Sequence, residues 1–284
     1  MRNRPVVLQS PVARNDQIYR ETKWLAAIII PFLIAAFYIL YLRPTETGEL
    51  FAWQINPTMT AMMLGAIYIG GAYYFFRVLG ARRWHWIKIG FLPVTIFASF
   101  LGVATLLHWD RFNQGHISFI TWAVLYFTTP FLVLATWLRN RVTDPGTPDP
   151  DDAMLPQIVR VAMGAIGVIS FLVSIVLFLQ PQLMINVWPW TLTPLTARVV
   201  GAMFALGLTA LSIGLERRWS GVRLMLQAQI LMMLMVFIAA LRAWGEFNQQ
   251  TPATWIFMGS LIIVIVLSGG FYFFMERQRN KATV

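Results

Sequence analysis

The chain contains no cysteine, which excludes disulfides, thiolate metal sites and thiol nucleophiles and removes any trace of redox compartment. Histidine is nearly as scarce. His85, His108 and His116 are the only three, and they lack the His-x-x-x-His spacing of a helical metal site, so neither a metal nor a cofactor is expected. Charge is thin, at 12% of residues, and none of it lies near the middle of an apolar run, which argues against a carboxylate relay for protons or sodium ions. Phosphate-binding glycine loops and nucleophile elbows are absent as well. Enzyme chemistry therefore has no motif to rest on.

What the chain has is apolar length. Its composition is 58% hydrophobic, beyond the ordinary soluble range, and the apolar residues gather into eight runs: 24–42, 58–76, 87–107, 119–138, 158–179, 197–215, 222–241 and 255–275. Each approaches the roughly 20 residues a helix needs to cross a hydrocarbon core, where only a helix satisfies its own backbone groups. The first run follows a polar stretch and has no small-residue cleavage site, so it is expected to be a retained span. The expected fold is all-α, a polytopic membrane protein of eight transmembrane helices.

A net charge of +10 can signal nucleic acid, but here the basic residues punctuate the ends of the apolar runs and no nucleic acid partner is expected. With a cytoplasmic amino terminus, all of the 22 basic residues except Arg43, Arg111, Arg198 and Arg242 fall on the inner side, as the positive-inside rule requires. Both termini are then cytoplasmic. Tryptophans crowd the ends of the runs, Trp53 and Trp190 among them, as residues of an interfacial belt do.

The sequence also repeats itself. Leu40-Tyr41-Leu42-Arg43-Pro44 returns as Leu177-Phe178-Leu179-Gln180-Pro181, and the same offset of 137 carries Trp53 to Trp190 and Pro57 to Pro194. Arg82-Arg83-Trp84 returns as Arg217-Arg218-Trp219, and Phe112-Asn113-Gln114 as Phe247-Asn248-Gln249, at an offset of 135. Two tandem four-helix repeats, 24–141 and 158–276, follow, in parallel orientation because each holds an even number of spans. A cytoplasmic tail (1–23) precedes them, another (277–284) follows, and an acidic, proline-rich linker (142–157) lies between. Its composition cannot bury a core, so a solvated linker is expected. Small residues at matching places, Ala66 with Gly70 and Gly201 with Ala205, read as packing sites between the repeats. Pro31, Pro93 and Pro130 are expected to kink the first copy.

Polar groups collect at the outer ends of the middle helices. Arg198 opens the sixth span, Arg242 closes the seventh with Glu246 just beyond, and Asp110 and Arg111 follow the third. Two arginines, a helix amino terminus and nearby tryptophans suit an anion or lipid headgroup. The expected ligand-binding set is Arg198, Arg242, Glu246, Trp190, Trp244, Asp110 and Arg111, holding a small anionic or lipid-like molecule between the repeats. The competing structural role is snorkelling and ion pairing that fasten the helices. Two other functions stay open: a non-catalytic membrane subunit or scaffold with a membrane protein partner, and an interfacial enzyme acting on lipid or isoprenoid through His108, Asp110 and Glu246. The segment Trp188-Pro189-Trp190-Thr191-Leu192-Thr193-Pro194-Leu195-Thr196-Ala197-Arg198 resembles one found in uncharacterised bacterial multi-pass membrane proteins. That resemblance implies the bacterial cell (inner) membrane, with membrane lipids as neighbours, and no particular activity.

Overall fold

The computed structural model describes residues 14–282; residues 1–13, with Arg2 and Arg4 of the expected amino-terminal tail, and residues 283–284 of the carboxy-terminal tail lie outside the described residues. Among the described residues the chain is helical and has no strand. Eight helices are long and apolar enough to cross a membrane: α1 (Arg20–Leu42), α2 (Thr58–Gly80), α3 (Lys88–Leu107), α4 (Ile117–Thr143), α5 (Gln157–Leu179), α6 (Pro194–Leu215), α7 (Trp219–Arg242) and α8 (Pro252–Lys281). The chain is a multi-pass integral membrane protein. Several helices outrun the hydropathic runs, because residues such as Arg77 and Arg139 continue the winding while their charged ends reach for water.

Neighbours in sequence pair as α1 with α2, α3 with α4, α5 with α6 and α7 with α8, while α2 against α7 and α3 against α6 join the two halves. Lipid tails are as apolar as leucine, so close packing rather than escape from water holds such helices together. At Gly70 an added Cβ would lie 3.0 Å from the Met232 side chain, which sets the approach of α2 to α7. Gly201 serves a different contact. It faces α5, where the Ser174 hydroxyl donates to its carbonyl at 2.7 Å.

Helical winding runs through Pro31 and Pro130, and a break in the winding falls in α6, between Ala205 and Leu208. A Cβ on Gly207 would sit 2.0 Å from Ser170 Oγ, and that hydroxyl donates to the Phe204 carbonyl at 2.9 Å. A polar side chain inserted beside a glycine bends a helix without proline.

On the face that carries the chain ends, the linker is exposed at 146–148 and 150–151 but anchored to the helices on either side of them. Ala153 and Leu155 are buried with Trp219 and Val222, and Leu155 N donates to the Arg217 carbonyl at 2.8 Å. Asp144 accepts from Arg218 at 2.8 Å and from Lys88 at 2.7 Å, and Glu216 accepts from Arg218 at 2.8 Å. Nearby, Asp16 accepts from the His85 backbone and contacts its Nδ1, while His85 Nε2 meets Ser220 Oγ at 2.9 Å. An Asp-His-Ser order suggests a nucleophile, but His85 is fully enclosed and the Ser220 hydroxyl donates to Asp152. The array fastens loops.

Burial opposes ionisation of Asp144 and Glu216, yet bonds from Arg218 and Lys88 outweigh it, bringing Glu216 down to about 2 and Asp144 well below the usual carboxylate range. Depressed carboxylates contribute stability that is complete above their ordinary values and lost as pH falls through the folded ones. Thermal unfolding in detergent is therefore expected to hold level from pH 7 to about 5 and to weaken from roughly pH 4 down to 2. A midpoint flat across the acid interval would remove the clasp from the list of stabilising features.

Candidate functional site

The opposite face is built from the four connections α1–α2, α3–α4, α5–α6 and α7–α8. Two asparagines organise them: Asn113 N donates to the Ala52 carbonyl at 2.9 Å and Asn248 N to the Pro189 carbonyl at 2.8 Å. Each bond pulls a tryptophan-bearing connection down onto the helices. Trp53 and Trp190 are accordingly buried, each 2% exposed, and not belt residues. Trp53 packs on Phe112 and Trp122, and Trp190 packs on Phe247 and donates from Nε1 to Thr60 Oγ1 at 2.9 Å.

Between these connections lies a cavity of about 410 Å³. Trp53, Gln54 and Asn56 form one wall, His108 and Arg111 another, and the start of α6 from Thr193 to Thr196 closes the third. That start is well defined. Pro194 suits the first helical turn, and Thr193 and Thr196 exchange bonds as a capping box. Arg198, one turn further on, donates from Nη1 to His108 Nε2 at 2.8 Å, while its Nε is buried without a partner among the described residues. Burial and the neighbouring Arg198 charge push the His108 pKa below its ordinary value. A neutral imidazole accepting at Nε2 carries its proton on Nδ1.

The expected binding residues divide into two groups. Arg111 lines the cavity, Arg198 stands behind it, bonded to the lining His108, and Asp110 lies beside Arg111, exposed, with its carboxylate 3.3 Å from Arg111 Nε. The other four are engaged elsewhere. Arg242 donates to the Tyr41 carbonyl at 2.8 Å and lies over the Tyr41 ring. Glu246 accepts from Thr58 N at 2.9 Å, Thr58 Oγ1 at 2.7 Å and Met59 N at 2.7 Å, capping α2. Trp190 is in the core, and Trp244 stacks on Phe247. Of the acid–base set His108, Asp110 and Glu246, only His108 lines the cavity, and no cluster of metal-binding side chains exists among the described residues.

Sequence reasoning missed Gln54, Asn56, Thr193 and Thr196 as lining residues and His108 as the partner of Arg198. One signal was available. Glu246 lies 135 residues after Arg111, the offset already visible in neighbouring landmarks, so an acidic and a basic residue hold equivalent positions. Comparison of the chain with protein-family models, with curated proteins and with solved structures finds no match.

Proposed function

We propose that this protein binds, and in that capacity could carry across the membrane, a small anionic or lipid-like ligand held in the outer cavity between two tandem four-helix repeats. In this reading the repeats 24–141 and 158–276 run parallel, the linker 142–157 and both termini are cytoplasmic, and the membrane is the bacterial inner one. Several paired details support the duplication. Arg43 (φ −124°, ψ 48°) and Gln180 (φ −127°, ψ 60°) break α1 and α5 in the same unusual backbone conformation. Trp84 N donates to the Asp16 carbonyl at 2.8 Å, and Trp219 N to the Ala153 carbonyl at 2.9 Å. The contacts α2–α7 and α3–α6 are the two that a pseudo-two-fold axis along the membrane normal would exchange.

One observation carries the ligand class. In one half, the first amides of α2 hold the carboxylate of Glu246. In the other, α6 starts at the open cavity, and the positions equivalent to Glu246, Ala243 and Ala61 are Arg111, His108 and Arg198. At the start of α2 the second repeat supplies the anion, Glu246; near the start of α6 stand three basic groups, His108 and Arg111 from the first repeat and Arg198 from the second, and the cavity has no lining carboxylate. A carboxylate or phosphate seated there would meet the start of α6, where Thr193 already caps the Thr196 amide, with the Arg111 and Arg198 guanidinium groups nearby. The volume suits a small molecule or a headgroup.

The test is an intact-mass measurement on protein extracted gently from its native membrane. A retained small anion is expected, and the Arg198→Ala, Arg111→Ala double variant is expected to lose it by roughly tenfold or more per charged contact removed. Arg242→Ala, whose guanidinium lies on Tyr41, should keep it. A bound mass indifferent to the double variant, or a protein that carries none, would overturn the assignment.

A further inference from the structure

We propose a second binding site, independent of the outer cavity, on the face that carries the chain ends: a cleft that takes the phosphodiester of an anionic phospholipid. The cleft encloses about 530 Å³ between the start of α5 and the end of α6, with Arg160 and Arg217 in its walls. Arg160 is fixed in place by donation from Nε to the Gly214 carbonyl at 3.2 Å, which leaves its terminal amino groups directed to other acceptors. Neither arginine has a carboxylate within ion-pair reach among the described residues. The nearest acid in sequence, Glu216, spends its carboxylate on Arg218 and Lys88 and on the Arg217 backbone N–H.

The floor of the cleft is closed by backbone contact. A Cβ on Gly214 would stand 2.7 Å from the Arg160 carbonyl and 2.9 Å from Gly164 N, so α5 and α6 touch there without intervening side chains. Its rim is apolar and outward-facing: Ile158 is 80% exposed, Val161 65% and Leu215 76%. On spanning helices, surfaces of that kind meet hydrocarbon. The two arginines therefore lie where the hydrocarbon gives way to headgroups, and the anion present there at high concentration is the lipid phosphate. Guanidinium groups match its oxygens in pairs, while an acyl chain follows Val161 and Leu215 into the bilayer. Basic pockets between spanning helices recognise anionic lipid on this principle.

The duplication proposed above supplies an internal control. Lys23 and Arg82 are the first-half equivalents of Arg160 and Arg217, but Trp24 replaces Val161 and Leu79 replaces Gly214. The same charge is present there with the space filled by larger side chains.

The experiment places the full chain in nanodiscs of phosphatidylglycerol or phosphatidylcholine and reads retained lipid by native mass spectrometry. One tightly held phosphatidylglycerol is expected, preferred over phosphatidylcholine, with roughly 30-fold weaker retention in the Arg160→Gln, Arg217→Gln variant, the effect of two basic contacts at a membrane surface. Lys23→Gln, Arg82→Gln removes as much charge and should leave retention unchanged. Val161→Trp keeps both arginines but fills the cleft as Trp24 does, and should lose the lipid too. Equal losses in both charge variants would mean diffuse attraction and overturn the site, as would retention that survives Val161→Trp. Displacement of the lipid by millimolar inorganic phosphate would replace the lipid assignment with a soluble anion.

Discussion

Arg218→Ala is expected to lower the unfolding free energy by about 3–5 kcal/mol, the usual cost of stripping one partner from a buried ion pair. The Arg218 side chain is 4% exposed and lies between Asp144, which is 13% exposed, and Glu216, at 6%. Without it two enclosed carboxylates would share Lys88 alone. The two acids belong to different parts of the chain, the linker and the connection between α6 and α7, so their release would also free the linker. Thermal unfolding in detergent measures the first effect, and protease cleavage within 142–157 measures the second. The neighbouring Arg217→Ala, at an exposed position, should stay within about 0.5 kcal/mol of the parent protein. If the two variants melt together, the clasp contributes nothing to stability.

Glu246→Ala should cost about 2–3 kcal/mol, because a carboxylate that accepts three bonds at a helix amino terminus combines the worth of a cap with that of charged hydrogen bonds. The variant leaves Thr58 N and Met59 N facing the vacated space. A small carboxylate should enter it. Added acetate is expected to raise the melting temperature of Glu246→Ala while leaving the parent protein unmoved at equal ionic strength, with chloride as the comparison salt. A response to acetate identical in both proteins would show that the amides at the start of α2 do not select an anion. It would also weaken the analogy drawn with the start of α6.

Hydropathy is a local property, and the eight spans were legible for that reason. The arginines of this face were legible in part. Arg111 lines the cavity and Arg198 reaches His108 in its wall because the start of α6 and the end of α3 are adjacent, an outcome that span order and helix ends suggest. Arg242 and Glu246 have the same composition-level credentials, yet their partners Tyr41 and Thr58 stand 201 and 188 residues earlier. Such bonds depend on the register between distant helices, which no local pattern encodes. Tryptophan position misled in the same way. Trp53 and Trp190 sit at run ends, where an indole ordinarily lies in the headgroup region, but their connections fold inward and the rings find aromatic partners. Asp144 and Asp149 looked solvated because their cations, Lys88 and Arg218 for the first and Arg83 for the second, come from elsewhere in the chain.

His85 and Ser220 are 135 residues apart and touch through Nε2 and Oγ. Under the duplication proposed above the two positions are equivalents, and a position meets its own equivalent only on the line about which two copies turn, so on that reading the contact lies at the pivot. A four-helix unit pairing with itself would need one side chain there able to bond to its twin. A single chain lifts that demand, and the two positions can hold a ring and a hydroxyl, each anchored by its own aspartate, Asp16 on one side and Asp152 on the other. The pivot of the proposed pair is then a place where its two halves are free to differ.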